Sequence, residues 1–231
     1  MRTGAAVALI AAVICAAGCK RSELDGFHSN WRKLPLSPLA SSSYLQQAET
    51  SPCAWNVHAN GNRITIQHVS IRSLQRPQES RIQFPGGTLV GEDRGEWGGS
   101  LSVLEHASQT PREILSKNVL QMFVVRTGVT VITGDLQDNK GSVWLYANTG
   151  DRGWSIQKKA DLHGYPKVIG KSGERILLAY GDAISVMENF SERQIATLPL
   201  LEVRPNSIAQ DAKGDIYVGM NAFVSGIGIW G

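Results

Sequence analysis

Residues 119–160 read VLQMFVVRTGVTVITGDLQDNKGSVWLYANTGDRGWSIQKKA and contain four short apolar runs. The runs are rich in Val, Ile, Thr, Trp and Tyr, which strands favour, and none is long enough for a stable helix. Clusters of Gly, Asn and Asp, which are typical turn residues, divide the runs. The segment therefore predicts a four-stranded antiparallel meander, with strands at Val119–Arg126, Val129–Asp135, Ser142–Ala147 and Trp154–Lys159.

The same pattern recurs along the chain with a period near forty residues. The glycine that opens the second run returns at intervals of 41, 45 and 41 residues, at Gly87, Gly128, Gly173 and Gly214. The third run returns at intervals of 42, 41 and 39 residues, starting from Ser100. A four-stranded unit with this period is typical of a β-propeller blade. The alternative, a β-sandwich, would show strands without such a recurrence.

We therefore expect an all-β propeller of four-stranded antiparallel blades. The predicted blades span about 80–117, 119–160 and 162–199, and an incomplete fourth spans 205–231. Extra strands are expected at 55–75, where Asn60-Gly61 is a hairpin signal, and they could complete the last blade and close a four-bladed array. The alternative, which we favour, is that the chain is truncated after Gly231 and its intact form has more blades.

The N-terminus has the pattern of a targeting segment. Arg2 precedes the apolar run Ala5–Ala17, which is too short to span a bilayer and suits a signal-peptide core. The run ends in Ala16-Ala17-Gly18-Cys19, which resembles the lipobox of bacterial lipoproteins. The resemblance implies that residues 1–18 are removed and that the Cys19 thiol carries a diacylglycerol anchor in the membrane. The alternative is ordinary cleavage, which would give a soluble secreted or periplasmic protein.

The residues after Cys19 suggest a location and a tether. Lys20 rather than Asp follows the cysteine, and the resemblance to the enterobacterial sorting pattern implies the outer membrane, facing the periplasm. Residues 19–53 contain Pro and Ser runs and are predicted to be the anchor and a flexible tether, so the propeller would occupy 54–231. With Cys15 in the signal and Cys19 lipidated, Cys53 has no partner for an internal disulfide.

The charge pattern argues against nucleic-acid binding. The formal net charge is +3, and only 19% of the residues are charged. Lys and Arg are scattered along the sequence, whereas a nucleic-acid interface needs a basic stripe.

One segment, RPNSIAQDAKGDIYVG at residues 204–219, resembles the blade consensus of the SMP-30/gluconolactonase and NHL propellers. In the lactonases the Asn after this Pro is a divalent-metal ligand, so the resemblance implies that role for Asn206. Amide and carboxylate oxygens are the ligands that a hard cation prefers. Ser207 stands where the family has glycine, and the matching Glu and second Asn of the family are not evident.

The densest acidic loop is a second candidate for binding. It reads GEDRGEWGG at residues 91–99 and contains Glu92, Asp93, Glu96 and Trp97. The loop could bind a cation or a basic partner, or it could be a solvated loop in which Arg94 supplies the counter-charge.

Two further side-chain sets have alternative interpretations. Asp161 and His163 could form an acid–base pair, but no nucleophile lies nearby in sequence, and a structural loop is the simpler interpretation. Trp97, Trp144 and Trp154 could line a sugar-binding groove or pack between blades, and packing is the interpretation that we prefer.

The sequence contains no motif of a known catalytic or metal-binding class, and its five histidines share no ligand spacing. This favours a non-catalytic binding or scaffold module without a cofactor, which would take a protein or a glycan at its loop face. The alternative is a metal-dependent lactonase-like hydrolase with a divalent cation at Asn206.

Overall fold

The computed structural model describes residues 53–60, 63–70, 79–106, 108, 110–150, 153–198, 205–220 and 224–227. The predicted signal peptide, Cys19 and the predicted tether up to Pro52 lie outside the described residues. The described part is all-β and propeller-like, since antiparallel meanders follow one another along the chain.

Three four-stranded sheets account for most of the strands, and each has its strands in sequence order. The first contains β3 (Glu79–Phe84), β4 (Gly87–Glu92), β5 (Leu101–Glu105) and β6 (Arg112–Leu115). The second contains β7 (Asn118–Val125), β8 (Gly128–Asp135), β9 (Lys140–Asn148) and β10 (Trp154–Leu162). The third contains β11 (Val168–Ser172), β12 (Arg175–Ala179), β13 (Ala183–Glu188) and β14 (Ser191–Thr197).

Two smaller sheets complete the described strands. A three-stranded sheet contains β15 (Pro205–Gln210), β16 (Ile216–Met220) and β17 (Val224–Ile227), and a hairpin contains β1 (Cys53–Asn60) and β2 (Arg63–Ser70). That strands within 55–75 complete the last blade stays a prediction. In the structure β1 packs on the three-stranded sheet, where Val57 contacts Ala209 and Tyr217 and its N–H donates to Ser207 Oγ at 2.9 Å.

The chain forms two compact units by its internal contacts. One unit contains residues 76–166 together with 187–192, and therefore the first two four-stranded sheets. The other contains the described residues within 53–75, 167–186 and 193–227. A buried cluster in this unit joins strands β11–β13 to strands β15 and β16 through side chains such as Leu177, Ile184 and Ile216.

In the unit that contains residues 76–166, the two sheets bury one apolar layer between them. Leu89, Leu101 and Val103 of the first sheet pack with Val119 and Val131 of the second, and all five side chains are almost fully buried. Burial of such side chains is the main stabilising contribution when sheets pack face to face.

Two local features show how closely these sheets approach. A Cβ atom added to Gly91 would lie 2.5 Å from Cγ1 of Val119, so only glycine fits where the strands cross. Further along, Phe84 packs edge-on against Tyr146 and Trp154, with ring centroids 5.3 and 4.7 Å away. Burial in this cluster raises the pKa of Tyr146.

Candidate functional site

The direction of the strands determines which loops lie together at the candidate site. In an antiparallel meander successive loops alternate between the two ends of the sheet. The β4–β5 loop, the β6–β7 connection, the β8–β9 loop and the end of β10 therefore lie at one end of the two sheets. They enclose a cleft of about 910 Å³, which lies wholly within one compact unit. The lining residues are Arg94–Ser100, Glu113, Ser116–Asn118, Thr133–Asp138, Lys140–Ser142, Lys158, Asp161 and Leu162.

The β4–β5 loop, residues 93–100, contains a single 3-10 turn at Gly95–Trp97. Asp93 Oδ1 accepts the Gly95 N–H at 3.0 Å, and the Arg94 N–H donates to the Gly98 carbonyl at 3.1 Å. Gly95 and Gly98 have φ angles of +61° and +79°, which glycine adopts most readily. The turn leaves the Trp97 side chain 91% exposed.

Asn118, the first residue of β7, holds this loop from the neighbouring sheet. Its Oδ1 accepts the Arg94 N–H at 3.2 Å, and its Nδ2 donates to the Gly95 carbonyl at 2.6 Å. The side chain is buried, so the two bonds satisfy polar atoms that would otherwise be costly to bury. A Cβ atom on Gly99 would lie 2.6 Å from Asn118 Oδ1 and 2.2 Å from the Glu92 carbonyl oxygen.

The β8–β9 loop, residues 136–139, is shorter and is organised by side chains from its own ends. Asp135 Oδ1 accepts the N–H groups of Gln137 and Asp138 at 3.0 and 3.2 Å, which is an Asx turn. Asn139 has a φ angle of +50°, and its Oδ1 accepts the Tyr165 N–H at 3.2 Å.

Charges of both signs lie side by side on the cleft wall. Lys140 Nζ donates to Asp138 Oδ2 at 2.8 Å, which lowers the pKa of Asp138 and raises that of Lys140. Lys158 Nζ lies 2.6 Å from Asp161 Oδ1, which also accepts the Ser142 hydroxyl at 3.1 Å. The hydrogen bond from Lys158 and then that from Ser142 lower the pKa of Asp161.

The candidate residues of the sequence are only partly brought together. Glu96, Trp97 and Asp161 all line the cleft, although Trp97 and Asp161 are far apart in sequence. Glu92 is not in the lining and forms an ion pair with Arg94, while Asp93 holds the turn described above.

The pairing of Asp161 with His163 stays a prediction. The Asp161 carboxylate is bonded to Lys158 and Ser142, and the backbone N–H of His163 donates to Glu192 Oε2 at 2.9 Å. Asp161 is therefore held as an ionised partner of a lysine.

The tryptophans divide between the two interpretations. Trp144 and Trp154 pack against the buried layer between the sheets, as we expected, and the Trp144 indole N–H donates to Thr133 Oγ1 at 3.1 Å. Packing was the wrong expectation for Trp97, because its side chain extends from the loop into solvent.

Sequence reasoning missed Asn118, Lys140 and Lys158 as residues of the site. The only local signal for Asn118 is an asparagine, a poor strand former, at the start of an otherwise apolar strand. No sequence pattern distinguishes Lys140 and Lys158 from other surface lysines, since their partners are exposed carboxylates.

Asn206 lies in β15, in the other compact unit. Its Oδ1 accepts the Ser207 hydroxyl at 3.1 Å, and its Nδ2 is buried without a partner among the described residues. No three side chains of His, Cys, Asp or Glu lie close enough to share a metal ion in the part of the chain that the structure describes. The role of Asn206 as a metal ligand stays a prediction.

The described residues also contain no helix of the length and apolarity that a membrane crossing needs.

Comparisons with known proteins give slight similarities. No protein-family model and no curated protein sequence matches this chain. Among solved structures, the extracellular domain of BT4673 from B. thetaiotaomicron aligns with a TM-score of 0.45 and 16% identity, over 76% of this chain and 26% of that one. The N-terminal domain of Nup159 aligns with a TM-score of 0.40 and 15% identity, over 70% of this chain and 48% of that one.

The chain thus spans about a quarter of the length of BT4673 that is in that structure. A computationally designed protein, Ika8, aligns with a TM-score of 0.35 and 11% identity, over 76% of this chain and 71% of that one. At these TM-scores the description of the fold rests on the chain's own sheets.

Proposed function

We propose that this protein is a lipid-anchored envelope protein whose propeller-like domain binds an external ligand without chemical turnover, in the cleft formed by the β4–β5 and β8–β9 loops. The anchor is the diacylglycerol on Cys19, at the outer membrane and facing the periplasm. Residues 19–52, which precede strand β1, serve as the tether that lets the cleft reach its ligand.

The observation that carries the binding role is where the exposed apolar side chains lie. Among the described residues, the large hydrophobic side chains that are exposed are Trp97, Val124 and Leu136. Two of these three, Trp97 and Leu136, line the same cleft, although they come from loops of different sheets. Exposed apolar groups gathered at a concave polar surface are characteristic of a recognition site.

The state of Asp138 and Asp161, two of the five carboxylates that line the cleft, supports binding over catalysis. A general acid or base works best with a pKa near the operating pH. Here the neighbouring lysines lower the pKa of both Asp138 and Asp161, which moves these groups further from that range. Such carboxylates serve as fixed hydrogen-bond acceptors.

The binding role is tested by retention on envelope material. The full chain is prepared as Cys19→Ser, so that no lipid contributes, and is sedimented with purified cell-wall sacculi and outer-membrane fragments. We expect Trp97→Ser/Leu136→Ser to reduce the bound fraction at least tenfold. Val124→Ser is the matched control, since Val124 is an exposed apolar residue outside the cleft lining. Equal retention of all three proteins would contradict the proposed site.

The anchor is tested separately. Cells that express the parent chain or Cys19→Ser are grown with radiolabelled palmitate. We expect label in the parent chain and none in the variant, because the variant lacks the thiol that carries the lipid. Label in both proteins, or in neither, would contradict the anchor.

A further inference from the structure

We propose that the ligand of this cleft is an uncharged glycan, recognised by stacking on Trp97 and by hydrogen bonds to the paired charges of the wall. This inference rests on the proposed binding role of the same cleft and names its ligand class. Three properties of the lining carry it: its charge balance, its hydrogen-bonding groups and its one exposed aromatic ring.

The charges of the lining are balanced and interleaved. Four cationic side chains, Arg94, Lys117, Lys140 and Lys158, stand beside five anionic ones, Glu96, Glu113, Asp135, Asp138 and Asp161. Two of the cations are already paired within the cleft, at 2.8 Å for Lys140 and 2.6 Å for Lys158. A lining of this kind produces little net field, so it favours neither a polyanion nor a polycation.

The paired groups match the chemistry of sugar hydroxyls. A hydroxyl both donates and accepts, so adjacent hydroxyls can donate to a carboxylate and accept from an ammonium group. Asp161 with Lys158, and Asp138 with Lys140, present such donor and acceptor pairs at the wall. These side chains are largely exposed, so a ligand can reach them without breaking a buried network.

Trp97 supplies the apolar part of recognition. Sugar rings carry a face of C–H groups, which packs on a flat aromatic ring, and an indole offers the largest such surface. The ring is 91% exposed, and the side chains of Asp93 and Asn118 hold the backbone of its turn through hydrogen bonds to Gly95. A turn whose backbone is ordered before the ligand arrives loses less entropy on binding.

Other ligand classes fit this lining less well. Pockets for small apolar ligands are lined mostly by hydrophobic side chains, and among the lining residues only Trp97, Leu136 and Leu162 are large and apolar. Peptides are commonly taken up at a sheet edge, in an apolar groove or by an arginine cluster. This cleft is instead formed by loops and strand ends and has a single arginine.

The test is calorimetric titration of the full Cys19→Ser chain with three panels of probes. They are uncharged oligosaccharides of glucose, mannose, galactose and N-acetylglucosamine, sulfated and uronic-acid oligosaccharides, and unstructured peptides of both charge signs. We expect an uncharged oligosaccharide to bind, with a Kd that changes less than about twofold between 50 and 300 mM NaCl. Trp97→Ala should weaken this binding at least tenfold, Trp97→Phe less than about threefold, and Val124→Ala not at all.

The outcomes separate the two proposals. If only charged oligosaccharides or peptides bind, the inference of an uncharged glycan is overturned and the binding cleft stands. The same holds if the parent chain is retained on envelope material more than Trp97→Ser/Leu136→Ser but no uncharged oligosaccharide binds. An uncharged oligosaccharide that binds Trp97→Ala as tightly as the parent would also overturn the inference. Failure of every panel together with equal envelope retention of all variants would overturn both proposals.

Discussion

The β4–β5 and β8–β9 loops, which flank the cleft, are held in shape by different kinds of contact. Both connect the second and third strands of a four-stranded sheet and both lie at the same end of their sheets. The β8–β9 loop needs four residues between its strands and is held mainly by Asp135 at its own base. The β4–β5 loop has eight residues, and its shape depends on Asn118 at the start of β7 in the neighbouring sheet.

This difference indicates which contacts order a longer loop. A short turn is specified by local side chains and by the pairing of its strands. A longer loop has more conformations to lose, and a buried polar side chain from a neighbouring element can offset that cost. The longer loop gains an exposed indole, which the shorter one does not present.

The largest effect is expected from the glycine beneath the longer loop. Gly99→Ala would bring a Cβ atom within 2.2 Å of the Glu92 carbonyl oxygen, and backbone cannot move aside as a side chain can. We expect a loss of about 3 kcal/mol or more in the free energy of unfolding, measured by urea denaturation.

Gly98→Ala is the matched control for this prediction. Gly98 has open space around it, but its φ of +79° and ψ of −176° lie in a region that almost only glycine adopts, so the cost should be this backbone strain alone, about 1–3 kcal/mol. If Gly98→Ala were the more damaging of the two, the close approach at Gly99 would not be what fixes the loop.

A matched pair of asparagine substitutions should separate the two loops next. Asn118→Asp keeps an acceptor for the Arg94 N–H but places a buried carboxylate against the Gly95 carbonyl, which now accepts from Nδ2 at 2.6 Å. We expect a loss of about 2 kcal/mol and a fall in Tm of about 4–8 °C by calorimetry.

Asn139→Asp should cost less than about 0.5 kcal/mol, since Asn139 is exposed and uses its oxygen as the acceptor for Tyr165. If Asn118→Asp and Asn139→Asp lowered the free energy of unfolding equally, the β4–β5 loop would not depend on the neighbouring sheet more than the β8–β9 loop does.

The smallest effect is expected from the ion pair of the shorter loop. Lys140 lowers the pKa of Asp138, so the pair stabilises the fold above the ordinary Asp pKa and this contribution is lost as pH falls through the lowered value. Asp138→Asn should therefore lower Tm by about 1 °C or less at pH 7, and should have no effect near pH 2. A loss at pH 2 as large as at pH 7 would assign the effect to the turn's hydrogen bonds instead of the charge.

Much of the fold could be predicted from the sequence, because the repeat is carried by local patterns. The strands expected at Val119–Arg126 and Val129–Asp135 are found at Asn118–Val125 and Gly128–Asp135. Turn residues and alternating apolar positions act over a few residues, so they can be recognised from sequence alone.

The glycine alignment was less uniform in structure than in sequence. Gly87 and Gly128 begin their strands, with φ angles of +147° and +151°. Gly173 and Gly214, at +59° and +93°, lie in turns, and their strands start two residues later. The same residue type at the same repeat position therefore serves two backbone conformations, which sequence does not distinguish.

The candidate site was harder to predict, because its contacts join distant residues. Asn118 and Arg94 are separated by 24 positions, and no local pattern pairs them. The exposure of Trp97 likewise follows from the turn that presents it, whereas Trp144 and Trp154 pack against the buried layer between the sheets.

The hydrogen bonds between Asn118 and the β4–β5 loop limit how such a repeat can be duplicated or exchanged in evolution. The loop belongs to one repeat, but the residue that shapes it belongs to the following one. Duplication or exchange of a single repeat along its strand boundaries would separate the two. The shortest gene segment that encodes a correctly shaped β4–β5 loop is therefore longer than the segment that encodes the first four-stranded sheet. It must also include the codon for Asn118, the first residue of the second sheet.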